Sequence, residues 1–220
     1  MIADDRTAEQ DLDLRRSFLS EIFHSLSQPL TALHCSLDLA LRRDNTLAEL
    51  RASIQSALQD AERLRQRLLL LRALGDADDP GDLSHPFELV EMLHELQEEM
   101  LPLFESARKH LELEADAGPV MVRGNRVRLL RALFYFLEYL FRYSPEGATF
   151  SMRACLGEGR QAKIQITAAS CLPLSPSGGS AAYSCEMEMA RRSFRAAGGE
   201  FTLLSASAEH SVWEATLLVA

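Results

Sequence analysis

The chain has 220 residues, 47% of them hydrophobic, and a formal net charge of −9. That length allows one large or two small domains with a real apolar core, and the negative balance argues against nucleic acid as a partner. No apolar run approaches the roughly 18 residues needed to span a bilayer, so no membrane association is expected.

Met1 to Arg16 is acidic and polar and does not read as a signal peptide. A cytoplasmic location is the resulting expectation, with no sensor or membrane segment ahead of the first helix. Leu19, Ile22, Leu26, Leu30, Leu33, Leu37 and Leu41 recur at helical spacing. They predict one amphipathic helix from about Asp11 to Arg43, roughly 50 Å long at 1.5 Å per residue. Arg42-Arg43-Asp44-Asn45 breaks the stripe, and Asn45 or Thr46 can cap the next helix. Leu47, Leu50, Ile54, Leu58, Ala61, Leu64, Leu68 and Leu71 form a second stripe that ends before Gly75. A short joint between long helices predicts antiparallel packing. Two helices alone cannot bury these faces, so a homodimer closing a four-helix bundle is expected.

Asp76-Ala-Asp-Asp-Pro-Gly-Asp82 reads as a linker. It separates a helical domain over residues 1–75 from a second domain over 82–220. In the second domain Phe87 to Ala107 reads as a helix, with Leu89, Leu93, Leu96, Met100 and Leu103 on one face and Pro102 bending or ending it early. Leu111–Ala115 and Val120–Val122 are short strand candidates, and Asn125 to Arg142 is a strongly apolar helix. Phe150–Leu156 and Ala162–Ala168 alternate like strands paired through the Gly157-Glu-Gly159 turn. Glu186 to Ala197 is a helix ended by Gly198-Gly199, and Phe201–Leu204 and Val212–Val219 complete the strands. The fold class is α+β: a long two-helix hairpin followed by a layered α/β sandwich. Cys35, Cys155, Cys171 and Cys185 lack zinc-ligand spacing and read as reduced thiols.

His24 lies between Ile22 and Leu26 and falls away from the first stripe. An exposed histidine there can accept or donate a group without disturbing a core, and an ordinary surface histidine would look the same. Pro29 removes a helical hydrogen bond just beyond it, which asks for a reason. Gln28 reads as a solvated helix residue, and His34 as a partly buried packing or capping residue.

The segment His24-Ser-Leu-Ser-Gln-Pro-Leu30 resembles the phosphoacceptor box of bacterial two-component sensor histidine kinases, which carry Pro at this offset. That family has an acidic residue directly after the histidine, which orients the imidazole and supports proton removal, where this chain has Ser25. Family members that also dephosphorylate their partners often carry Thr or Asn where Gln28 stands, and the resemblance implies that its amide could likewise position a water. Residues 126–149, and Tyr143-Ser-Pro-Glu-Gly147 above all, resemble the helix and turn that carry the asparagine box of the ATP domain. In that register the two asparagines fall on Tyr135 and Tyr139, and a common acidic position on Glu138. The adenine-reading aspartate falls on Ala168, its glycines on Ser170 and Leu172, and the phosphate-loop glycines on Ser184 and Glu186. A phenol is a poor substitute for a carbonyl ligand to magnesium, and a carboxylate at Glu186 would repel phosphates. Gly178-Gly179, in a Ser- and Pro-rich lid, reads as flexible loop.

The resemblance therefore implies a histidine-kinase-like protein with a degenerate ATP-binding domain. It looks like a histidine phosphotransferase of a phosphorelay, with His24 as nucleophile, Gln28 beside it, and a response-regulator receiver domain as partner. No cofactor of its own is implied; magnesium would come from the receiver. An active kinase with an atypical site, a response-regulator phosphatase using Gln28, and a non-catalytic scaffold remain as alternatives.

Overall fold

The computed structural model describes residues 2–42, 46–77, 85–115, 118–157, 161–169, 184–207 and 210–220. The joint at Arg43-Asp44-Asn45, the linker from residue 78, the turn residues Glu158 and Gly159, and the lid with Ser170, Leu172, Gly178 and Gly179 lie outside them. The chain divides into two compact units, Met1–Arg72 together with the short segment Tyr183–Cys185, and Ala73–Ala182 together with Glu186–Ala220.

The first unit is built from α1 (Ile2–Arg42) and α2 (Leu47–Gly75). Helix α1 starts well before the expected Asp11. The segment preceding Asp11 holds Ala, Glu and Gln and no helix breaker, so propensity carries the helix on where no apolar stripe exists to reveal it. The helix continues through Pro29. Thr46 caps α2 in a capping box: Glu49 N–H donates to Thr46 Oγ1 at 3.4 Å, and Thr46 N–H donates to the Glu49 carboxylate at 2.9 Å. Ser36 Oγ, near the end of α1, lies 3.5 Å from Ser56 Oγ, near the start of α2, so the helices run back along one another.

The apolar stripes are only partly covered. Ile22, Leu26, Leu33, Leu64 and Leu71 are half-buried, whereas Leu30, Leu37, Leu41, Leu47, Leu50, Ile54, Leu58 and Leu68 are exposed. Ala57, Asp60, Leu70 and Leu74 take the buried positions of α2. The spacing that predicts the helices does not tell which side of a wide apolar face the same chain covers.

The second unit contains β1 (Phe87–Glu88), α3 (Leu89–Ser106), β2 (His110–Ala115), β3 (Met121–Val122), α4 (Arg126–Arg142), β4 (Thr149–Leu156), β5 (Gln161–Ala168), α5 (Cys185–Ala196), β6 (Glu200–Ala206) and β7 (Ser211–Leu218). Strands β1 and β3 pair antiparallel, and a five-stranded sheet runs β2-β4-β5-β7-β6. Only β2 and β4 are parallel neighbours, because α4 provides the crossover between them. The others pair antiparallel. Gly198, at φ 76°, ends α5, and a side chain on Gly199 would meet the Thr216 carbonyl at 1.8 Å, so this turn needs both glycines.

Alternation along β5 and β7 puts Ala162, Ile164, Ile166, Ala168, Trp213, Ala215 and Leu217 into the core. Trp213 sits in an aromatic cluster with Phe136 of α4, at 5.0 Å between ring centroids, and Phe201 of β6, at 5.6 Å. Helix α3 buries Leu89, Met92, Leu93, Leu96, Met100 and Phe104, while the expected Leu103 is exposed. It begins at Leu89 rather than Phe87 because Glu88 caps it. It does not stop at Pro102, an exposed position where solvent can satisfy the freed carbonyl. The Glu88 carboxylate accepts hydrogen bonds from Val90 N–H at 3.1 Å, from Glu91 N–H, and from Val120 N–H at 2.9 Å. Burial pushes this carboxyl up, but those backbone donors and His94 outweigh it and hold it below its ordinary value.

Candidate functional site

Helix α1 carries His24 on an exposed position, one turn before Gln28, which is also exposed. Residues at i and i+4 share a helix face, and the two side chains meet there. The amide nitrogen of Gln28 is 2.8 Å from Nε2 of the His24 imidazole. The sequence leaves Gln28 as a solvated helix residue or, through the resemblance, a water-positioning amide. The structure places it directly on the ring nitrogen.

Ser25 does not replace the expected acid. Its hydroxyl turns back along the helix and donates to the Ile22 carbonyl at 2.9 Å, a common use of serine inside helices. Phe23 is 68% exposed and Leu30 54% exposed, so the histidine lies on a surface with apolar neighbours. His34 is exposed rather than partly buried: it follows Leu33, which takes the half-buried position. No group of three or more His, Cys, Asp or Glu able to hold a metal occurs among the described residues. Cys35 and Cys155 are free thiols at exposed and half-buried positions, and Cys185 is a buried one.

In the second unit Asn125 caps α4 by accepting from Arg128 N–H at 3.1 Å. Helix α4 carries Tyr135, half-buried, and Tyr139, buried. The Tyr139 ring packs on Tyr143 at 5.0 Å between centroids. Ala168, at the end of β5, is fully buried and paired across the sheet with Phe150 and Ser211. Glu186 is buried in the first turn of α5, and Ser184, which groups with the first unit, is buried as well.

Arg142, at the end of α4, was not singled out by the sequence. Its guanidinium lies 3.8 Å from the Glu186 carboxylate and 3.4 Å from that of Glu138. The spacing from Glu138 to Arg142 is a readable i,i+4 pair, but the pairing with Glu186 joins distant parts of the sequence and leaves no local signal. Glu138 is thus salt-bridged.

Lys109 was missed as well. Its ammonium donates to Phe141 O at 2.7 Å, Ser144 O at 2.9 Å and Ser144 Oγ at 2.8 Å, and lies 4.0 Å from the centre of the Phe141 ring. It fastens the end of α4 to the Tyr143–Gly147 turn, and burial pushes its ammonium below the ordinary lysine value. An open cavity of about 440 Å³ borders that turn, lined by Glu146, Thr149, Thr167 and His210 among others, with neither Tyr139, Ala168 nor Glu186 in its wall.

No family model matches the chain. In sequence it is 28% identical over 137 residues to the sensor protein BasS of Salmonella typhimurium, covering 62% of this chain and 37% of that protein. It is 29% identical over 136 residues to the sensor protein QseC of Escherichia coli, covering 60% and 30%. The chain therefore spans about a third of the length of these curated relatives. In structure it matches the histidine kinase AdeS of Acinetobacter baumannii with a TM-score of 0.70 at 16% identity, covering 89% of this chain and 97% of that one. In sequence the chain is thus similar to sensor proteins, and in structure it has the α+β fold of solved histidine kinases.

Proposed function

We propose that the chain is a two-component signalling protein in which His24 carries a phosphoryl group, exchanged with the aspartate of a response-regulator receiver domain. The observation that carries this reading is the exposed His24 imidazole on α1, with Gln28 bonded at Nε2. A neutral imidazole can attack an acyl phosphate, which brings its own activation. The Nε2–P bond forms as the P–O bond to the aspartate breaks, and the carboxylate leaves with the electron pair.

The side chains in the second unit do not suit a magnesium nucleotide. Tyr139 is a buried phenol packed on Tyr143, Ala168 has no group to read an adenine, and Glu186 holds a carboxylate beside Arg142. A hard cation needs compact oxygen ligands in an open site. In this reading the second unit is a retained scaffold, and magnesium belongs to the receiver. The uncovered apolar stripes of α1 and α2 support a homodimer through a four-helix bundle.

A second reading is an ATP-dependent kinase with an atypical site. The relatives' names favour it over the phosphotransferase, since they are sensor proteins and sensor histidine kinases. One experiment separates the two. The chain and its His24→Ala variant are incubated with phosphorylated receiver domains, and in parallel with γ-labelled ATP and magnesium. The phosphotransferase reading expects acid-labile phosphate on the wild type from the receiver alone, and none on the variant. Label from ATP on His24 establishes the kinase instead. Exchange by His24→Ala at the wild-type rate removes both.

A further inference from the structure

From the Gln28–His24 contact we infer that Gln28 is a positioning residue that fixes where the proton sits on the His24 ring, a role the resemblance assigns to an acid directly after the histidine. The inference rests on the reading of His24 as a phosphoacceptor. An amide nitrogen can only donate a hydrogen bond. At 2.8 Å from Nε2 it needs an acceptor there, so Nε2 carries the lone pair and the ring proton lies on Nδ1. That is the tautomer whose Nε2 is nucleophilic. An imidazole protonated at Nε2 has no lone pair at that atom to attack with.

Ser25 spends its one donor on the Ile22 carbonyl. Among the described residues Gln28 is the side chain hydrogen-bonded to the imidazole. The orienting group has thus moved from the next residue to the next turn. The move has a consequence. The amide that selects the tautomer also occupies the lone pair, so it must swing off Nε2 as phosphorus arrives. Nε2 then bonds to phosphorus, the leaving group departs with its electron pair, and the ring keeps its Nδ1 proton until solvent removes it. The released amide N–H is placed to donate to a phosphoryl oxygen.

The test compares the full chain with Gln28→Ala and Gln28→Glu, both compatible with an exposed helix position. Histidine labelled with ¹⁵N reports the tautomer by long-range ¹H–¹⁵N correlation. Reactivity is read with potassium phosphoramidate, which transfers its phosphoryl group to imidazole with loss of ammonia and needs no partner protein. The wild type should show His24 protonated at Nδ1, and Gln28→Ala a mixture. Gln28→Glu should show protonation at Nε2, because a carboxylate only accepts. Phosphorylation by phosphoramidate should slow by about two- to ten-fold in Gln28→Ala, the weight of one ordinary hydrogen bond, and further in Gln28→Glu. An Nε2–H signal in the wild type, or the same tautomer and rate in all three proteins, overturns the inference. Failure of the wild type to exchange phosphate with receivers or ATP defeats only the functional reading, since the tautomer and phosphoramidate rates are measured without either.

Discussion

Glu88 joins three backbone N–H groups with one carboxylate, two at the start of α3 and one from Val120. Glutamate is not among the usual N-cap residues, so the sequence alone runs the helix on to Phe87. Only the pairing of Phe87 and Glu88 with Val122 and Met121 brings the third donor within reach. Removing the cap by Glu88→Ala should cost about 1–2 kcal/mol of stability by urea denaturation at neutral pH. The pH dependence has a definite sign. The folded carboxyl titrates below its ordinary value of 4.5, so its contribution is complete above that value and is lost as pH falls through the lower folded one. The stability gap between wild type and Glu88→Gln should therefore narrow on acidification below pH 4.5. A gap that stays constant there would show that the carboxylate is not the stabilising species.

Lys109 acts between elements rather than within one. Its three hydrogen bonds close the C-terminal end of α4, where carbonyls lack intrahelical partners. Lys109→Met keeps the stem but removes all three bonds, leaving Phe141 O with its Ser144 donors alone, and should cost about 1.5–3 kcal/mol by denaturation, the range for bonds to a charged donor. Lys109→Arg should recover little, because a planar guanidinium does not fit a site built around a point donor. Equal stability of wild type and Lys109→Met would remove this role. The same pair of elements shows what a sequence can carry. Helix α4 and strands β4, β5 and β7 were legible because their apolar residues repeat at 3.6 or 2. The turn Tyr143–Gly147 was legible through its own residues. Its anchor was not, since Lys109 lies far away in sequence and looks like any surface lysine. Arg142 met Glu186 for the same reason: long-range pairing of side chains leaves no period to read. His24 and Gln28 were picked out by the resemblance of their segment to a phosphoacceptor box; one helix puts them on a shared face, while the bond between them depends on rotamers.

At the scale of the whole molecule the outstanding physical problem is the apolar surface of the hairpin. Leu58 is 69% exposed, Ile54 53%, Leu68 53% and Leu47 75%, all on α2. Each such side chain is worth about 1.5–3 kcal/mol once removed from water, and a soluble monomer rarely leaves so long a stripe bare. A second copy offers the same stripe in return, which is how a two-fold bundle closes. We expect a dimer at micromolar concentration by sedimentation velocity. Leu58→Glu together with Ile54→Glu should give monomers, because the pairing then buries two carboxylates from each copy. These positions are chosen because one chain leaves them exposed, so the substitutions should spare the rest of the fold. The single Trp213 lies in the aromatic core of the second unit, and its fluorescence should be unchanged in the variant. A monomeric wild type would defeat the bundle altogether. A variant that remains dimeric with Trp213 unperturbed would put the interface on another surface.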